Sequence, residues 1–188
     1  MVKMQRKAVI LTALQKEYLA VRAHLTDIKP ARHEAGNIYE KGTFKQDGES
    51  GCCLWEVGIA EIGPENETAA LEAERAIAFF QPEIVLFVGI AGGFKVKDAG
   101  LGDVVVATEV YGYESGKVEA DGMKARPKVF RPDHDLLELV KYLCRQENWM
   151  ARIVGGVPEK KPQLIRGPIA AGNKVIHSKK SEIGQYII

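Results

Sequence analysis

Three groups of residues in this sequence have the types and spacing to do chemistry. Gly89, Gly92 and Gly93 close the apolar run in LFVGIAGGFK, residues 86–95. Glu17 follows a second apolar run, KAVILTAL, residues 7–14. Lys117, Lys124, Arg126 and Lys128 crowd the polar stretch SGKVEADGMKARPK. Glycines at a strand's end let backbone approach a ligand closely, and a phosphate is the commonest such ligand. The spacing G-x-x-G-G fits neither G-x-G-x-x-G nor G-x-x-x-x-G-K-[ST]. FKVKDAGLGD, which follows, reads as a loop, so no helix N-terminus backs an anion there. Two readings remain open: a ligand meeting bare backbone at the carboxyl end of a strand, where open α/β sheets bind, or a tight turn between strands. Glu17 falls in the first turn of a helix at the same kind of edge. It is either a site carboxylate or a surface acid drawn by the helix dipole. The basic stretch is a solvated loop or a seat for an anionic substrate group.

Other reactive side chains give less. His24, His33, His134 and His177 are scattered without metal-ligand spacing, and Cys52, Cys53 and Cys144 form neither a disulfide framework nor a zinc pattern. No metal and no cofactor is expected, and the thiols suit a reducing cytoplasm. Asp103, in LGD before an apolar run, reads as a turn or strand cap.

The elements that must position these groups follow from periodicity. KAVILTAL has the continuous, branched apolar character of a strand buried on both faces. QKEYLAVRAHL carries Leu14, Tyr18, Val21 and Leu25 at helical spacing. GNIYEKGTF and CCLWEVGIA read as a hairpin about KQDGESG. GPENETAALEAERAIAFFQPE is a helix with Gly63 as cap, Pro64 in its first position, and a stripe of Ala69, Ala73, Ala76, Ile77 and Phe80; Pro82 stops it. EIVLFVG and GDVVVATEV are further buried strands. DHDLLELVKYLCRQENW is an amphipathic helix with Leu136, Leu137, Val140, Leu143 and Cys144 inward. PQLIRGPIAAG is a strand and SKKSEIGQYII the start of a helix. Residues 111–133 and 151–163 are expected to be irregular. The alternation predicts an α/β fold: a single domain with a central mixed sheet flanked by helices.

The 188 residues suffice for one domain with a sizeable core. Lys and Arg total 26 against 25 acidic residues, a balance without a nucleic-acid or membrane-surface signal. The short apolar run near the start lacks a small-residue cleavage site, and no run reaches membrane-spanning length.

Taken in order, AVILTALQKEYLAV, VGIAEIGPENETAALEAERAI, PEIVLFVGIAGGFKVKDAGLGDVVVAT and GPIAAGNKVI resemble the nucleoside phosphorylase and nucleosidase superfamily. The likeness is closest to the branch containing the methylthioadenosine/S-adenosylhomocysteine nucleosidases. LTALQKEYLAVRAHL, VYGYESGK and GPIAAGNKVI also look like the phosphorylase-type effector domains of bacterial anti-phage proteins, which cleave the N-glycosidic bond of ATP and related nucleotides. The resemblance implies that Glu17 activates the attacking water, with Leu14 near the nucleophile. It implies that Gly89, Ile90, Ala91, Gly92 and Gly93 line the ribose and nucleophile site, and that Val175 and Ile176 pack on the purine. A nucleotide would need cations, for which Lys117, Lys124, Arg126 and Lys174 are the candidates.

Departures from the family pattern matter too. The segment corresponding to the one where phosphorylases hold phosphate is LTALQKEY, with no arginine from there until Arg22, which favours water as nucleophile. Ile90 stands where many nucleosidases have serine. The family's later Met-Glu and Ser-Asp motifs do not occur before Ile188. Residues 1–188 are therefore expected to be the N-terminal portion of the family domain, the C-terminal catalytic segments being absent from them. This portion would belong to a longer chain, with a downstream sensor domain as one arrangement. The expected activity is a purine (adenine) nucleoside or nucleotide N-glycosidase acting in the cytoplasm as a homo-oligomer. A methylthioadenosine/S-adenosylhomocysteine nucleosidase, a phosphate-dependent phosphorylase, and a catalytically incomplete ligand-binding or oligomerisation module are the alternatives.

Overall fold

The structure is a computed structural model that describes residues 6–46, 53–64, 66–93, 99–120, 122–153, 155 and 158–174. The chain divides into two compact units, 1–91 and 92–188.

The first unit is built on a five-stranded mixed sheet. Its strands are β1 (Arg6–Thr12), β2 (Thr26–Arg32), β3 (Ile38–Gln46), β4 (Cys53–Glu61) and β5 (Ile84–Phe87), ordered β2-β3-β4-β1-β5. β1 is parallel to both β4 and β5, whereas β2, β3 and β4 pair antiparallel. The mixed sheet flanked by helices is the α/β architecture expected from the pattern. β1 is central because its residues are apolar on both faces, as a doubly covered strand requires. On one face Val9, Leu11, Tyr39, Ala60 and Ile62 pack with Ala76 and Phe80 of helix α2 (Asn66–Phe80), and Ala69 and Ala73 lie against them. Side chains alternate along a strand. Glu40, next to Tyr39, therefore faces the other side, where helix α1 (Gln15–Arg22) lies.

Several local expectations change. β2 went unread because TDIKPAR is polar and carries Pro30. An edge strand tolerates both, since its outer N–H groups need no partner. Pro64 lies before helix α2, which among the described residues runs from Asn66, and Ile77 of its stripe is exposed. β5 ends the sheet order, with β1 as its partner, and Phe87 is exposed, so it is not the fully covered strand its composition suggested.

In the second unit β6 (Val104–Gly112) lies between parallel β10 (Leu164–Ala171) and antiparallel β9 (Lys128–Phe130). The register slips between Gly167 and Pro168, where proline offers no N–H to the ladder. Part of the stretch read as irregular is instead a hairpin of β7 (Gly116–Glu119) and β8 (Gly122–Ala125). Helix α3 (His134–Leu143) starts at Asp133, whose carboxylate accepts the N–H groups of Asp135 and Leu136. None of its residues is fully buried; Leu136, Leu137, Val140 and Cys144 of the face read as inward are half-buried, and Leu143 is exposed. The expected helix over SKKSEIGQYII lies outside the described residues. Among the described residues no helix is long and apolar enough to cross a membrane.

Candidate functional site

Parallel pairing of β1 with β5 sets Leu11 beside Phe87, so the carboxyl ends of both strands lie together. Val88 continues this by donating its N–H to the Leu11 carbonyl at 2.9 Å. One strand leads into α1 and the other into the glycine run. The topology thus brings residues 13–17 to residues 88–90.

Glu17 occupies the meeting point. It is 6% exposed, which removes the surface-acid reading. Its Oε2 accepts the N–H groups of Ala13 and Leu14, both at 2.9 Å, and its Oε1 accepts the Ile90 N–H at 2.8 Å. A buried carboxylate costs free energy unless its oxygens are hydrogen-bonded, and here backbone supplies the donors. A carboxylate offers roughly four lone-pair sites. Three are occupied, which leaves Oε1 able to accept one further donor, such as a water.

This carboxylate also explains the first glycine. A Cβ built on Gly89 would meet Glu17 Oε1 at 3.0 Å, its carboxyl carbon at 3.2 Å and Oε2 at 3.3 Å. The bare backbone at 89 accommodates a protein carboxylate. Negative charge fixed there opposes an anionic ligand, so a phosphate cradle is the wrong chemistry for this spot. Gly89, Gly92 and Gly93 all lie outside the left-handed region, so backbone conformation does not demand glycine at any of them. Among the described residues nothing lies within 4 Å of a Cβ at Gly92, and at Gly93 a Cβ would make an ordinary contact with the Ala99 carbonyl. Ile90 contributes its backbone N–H while its side chain is exposed, as is Ala91. Leu14 heads α1: its carbonyl accepts the N–H groups of Glu17 and Tyr18. Glu17, Leu14, Gly89 and Ile90 are therefore one site in the first unit.

In the second unit Lys117 and Lys124 face each other across the β7–β8 hairpin, and both pair with Glu119. Lys124 and then Lys117 hold the Glu119 carboxyl below its usual range. Arg126 donates its backbone N–H to the Ser115 carbonyl at 2.7 Å. Lys174 pairs with Glu114 at 3.3 Å. Val175 and Ile176 lie outside the described residues.

One arrangement had no legible signal in the sequence. Tyr113 and Glu114 grip the segment after β10: the Tyr113 hydroxyl donates to the Lys174 carbonyl at 3.0 Å, and Glu114 accepts the Asn173 N–H at 2.7 Å. Gly172 fits there because a Cβ would lie 2.3 Å from the Tyr113 ring. Asp103 ties the start of β6 to that of β10 by accepting the Gly100 and Gln163 N–H groups at 2.7 and 2.9 Å. Those bonds hold its carboxyl below its usual range, the Gln163 contribution being the larger. This is the cap role read from LGD. Among the described residues no cluster of His, Cys, Asp and Glu has the makings of a metal site.

The sequence profile of the Phosphorylase superfamily matches residues 7–187, and the chain belongs to that family. A 5'-methylthioadenosine/S-adenosylhomocysteine nucleosidase of Colwellia psychrerythraea is 34% identical over 146 residues, covering 72% of this chain and 53% of the relative. The corresponding enzyme of Chromohalobacter salexigens is 29% identical over 145 residues, covering 72% and 55%. The chain thus spans about half the length of these curated relatives. A crystal structure of the Colwellia psychrerythraea nucleosidase in complex with adenine superposes with a TM-score of 0.72 at 25% identity, covering 98% of this chain and 69% of that one.

Proposed function

We propose that this protein is a nucleosidase that hydrolyses the N-glycosidic bond of an adenine nucleoside and releases the free base. The observation that carries this reading is Glu17, a buried carboxylate held by three backbone amides with a lone pair of Oε1 to spare. Membership of the family and likeness to nucleosidases, one of them solved with adenine, support the substrate class.

Glycosidic cleavage passes through an oxocarbenium-like sugar, which calls for a base at the attacking water and an acid at the leaving group. Glu17 Oε1 takes one proton from water. The water oxygen bonds to C1′ as the bond from C1′ to the purine nitrogen breaks, its electron pair passing into the base. A group other than Glu17 returns a proton to the purine. The negative charge of Glu17 favours water over phosphate as nucleophile.

On the sugar's 5′ side an uncharged substituent is favoured. Lys117 and Lys124 share Glu119, and Lys174 pairs with Glu114, so a nucleotide's phosphates would have to displace carboxylates. A nucleotide such as ATP, with a role in anti-phage defence, is the second reading, motivated by the cations Lys117, Lys124, Arg126 and Lys174. Neutralising Lys117, Lys124, Arg126 and Lys174 together separates the two. Loss of ATP cleavage with methylthioadenosine cleavage intact supports the nucleotide, and no change in either supports the nucleoside.

Release of adenine from methylthioadenosine, adenosine, AMP and ATP, with and without phosphate, tests the activity by chromatography. Glu17→Gln is expected to slow release by about 10²–10⁴-fold with the circular dichroism spectrum unchanged. No base released by the full-length wild-type protein from any of the four sinks the enzymatic reading. Adenine binding without cleavage supports a ligand-binding module instead. We also read the protein as a cytoplasmic homo-oligomer, which light scattering checks; a monomeric mass rejects that assembly.

A further inference from the structure

Helix α1 carries Glu17, yet apolar packing does little to hold the helix. It has eight residues, and its one fully buried residue is Glu17 itself. Leu19 is exposed, and Tyr18, Val21 and Arg22 are half-buried. A helix this short has little stability of its own and takes its position from tertiary contacts. Among the described residues, its polar contacts lie at two points. The first is Glu17 with its three amides. The second is Glu40 of β3, whose Oε2 accepts the Tyr18 hydroxyl at 2.9 Å and the Arg22 Nε–H at 2.7 Å, while its Oε1 accepts Arg22 Nη2 at 3.3 Å.

We propose that Glu40, acting through Tyr18 and Arg22, is the positioning residue that sets the Glu17 carboxylate against the Ile90 amide. The inference rests on the reading of Glu17 as the base that activates water. Tyr18 and Arg22 are four residues apart and share a helix face, so one carboxylate holds both. Glu40 is fixed in the sheet by its pairing opposite Ile59 of β4, and β4 is itself paired to β1. The anchor is therefore rigid with respect to the strand that leads into α1.

The three groups hold complementary proton states at neutral pH. The Arg22 hydrogen bond keeps the Glu40 carboxyl below its usual range. Burial, and then the hydrogen bond to Glu40, push the Tyr18 hydroxyl above its ordinary range, so it remains a donor.

A helix fixed at Glu17 alone has that contact as a pivot. Any tilt is absorbed by the bonds around it. The bond most exposed to such motion joins Glu17 to Ile90, 73 residues away in sequence, because the other two donors belong to the turn that starts the helix itself. N–H···O hydrogen bonds span about 2.7–3.2 Å, so a displacement of about half an ångström from 2.8 Å takes this one out of that range.

Glu40→Ala, Glu40→Gln and Tyr18→Phe in the full chain test the proposal with two readouts. The first is hydrogen exchange at the Ile90 amide, followed by NMR. Glu40→Ala is expected to speed it about tenfold or more, while amides within β1 and β4 keep their rates. The second is kinetics on the best adenine nucleoside. The same variant is expected to lower kcat about 10–100-fold with KM changed less than threefold. Glu40→Gln keeps an acceptor oxygen and is expected to recover part of both effects. If Glu40→Ala fails to fold, Tyr18→Phe, which removes one hydroxyl, carries the test, with a smaller shift in the same direction. A variant with lowered Tm but an unchanged Ile90 amide and unchanged kcat overturns the proposal and leaves Glu40 a stabilising residue only. A wild-type chain that releases no base, while its Ile90 amide still responds to Glu40→Ala, sinks the nucleosidase reading and leaves the geometric coupling standing.

Discussion

A methyl group at position 89 has nowhere to go except into the Glu17 carboxylate, whose Oε1 would sit 3.0 Å from it. Gly89→Ala should therefore displace the candidate base without touching its chemistry. The expected outcome is a loss of at least about tenfold in the rate of adenine release, since small misplacements of reacting groups are costly. Circular dichroism should remain native. An unchanged rate of adenine release in Gly89→Ala would separate the glycine run from Glu17. Glu17 itself was legible in the sequence as an acid at a strand's carboxyl edge. Its burial and its third donor were not, because the Ile90 amide reaches it from 73 residues away and leaves no local pattern.

At the scale of elements, helix α2 is held to the sheet by small residues meeting a large one. A Cβ on Gly58 would lie 2.8 Å from the Phe80 ring. Gly58→Ala is expected to destabilise by about 1–3 kcal/mol, the usual range for overpacking, read from the midpoint of urea unfolding. The segment after β10 obeys the same logic more severely, since a Cβ on Gly172 would lie 2.3 Å from the Tyr113 ring. Burial pushes the Tyr113 hydroxyl above its ordinary range, which keeps it protonated and able to donate to the Lys174 carbonyl. Tyr113→Phe should speed exchange of the Asn173 amide, and an unchanged rate would show that Glu114 suffices as the grip. The apolar strands and the alanine-striped helix were legible because burial on one or two faces imposes a period on the sequence. Edge strand β2 and the β7–β8 hairpin were not, because a strand with solvent on one side can be polar along its length. The Glu40 anchor was half legible: Tyr18 and Arg22 stand at helical spacing, but nothing local names their partner.

Across the whole molecule, stability should have an acid limb with an identifiable origin. Arg22 holds Glu40 below its usual range, and backbone amides do the same for Asp103. A carboxyl depressed in the folded state contributes stability that is fully present above its unfolded pKa. That contribution is lost as pH falls through the folded value. Stability should thus be level through neutral pH and decline below the ordinary carboxylate range, and Glu40→Gln should flatten part of that decline. A Glu40→Gln acid profile parallel to wild type would exclude Glu40 as a contributor. The bond between Ile90 and Glu17 has a different consequence, one of timing. The strand and helix that bear the acid come early in the chain, whereas its third donor belongs to the segment after β5. Such long-range contacts close late in folding because the intervening loop must be ordered first. A chain emerging from the ribosome would carry the acid well before it could hold it in place, and the fixing of the Glu17 carboxylate would mark the completion of this sheet.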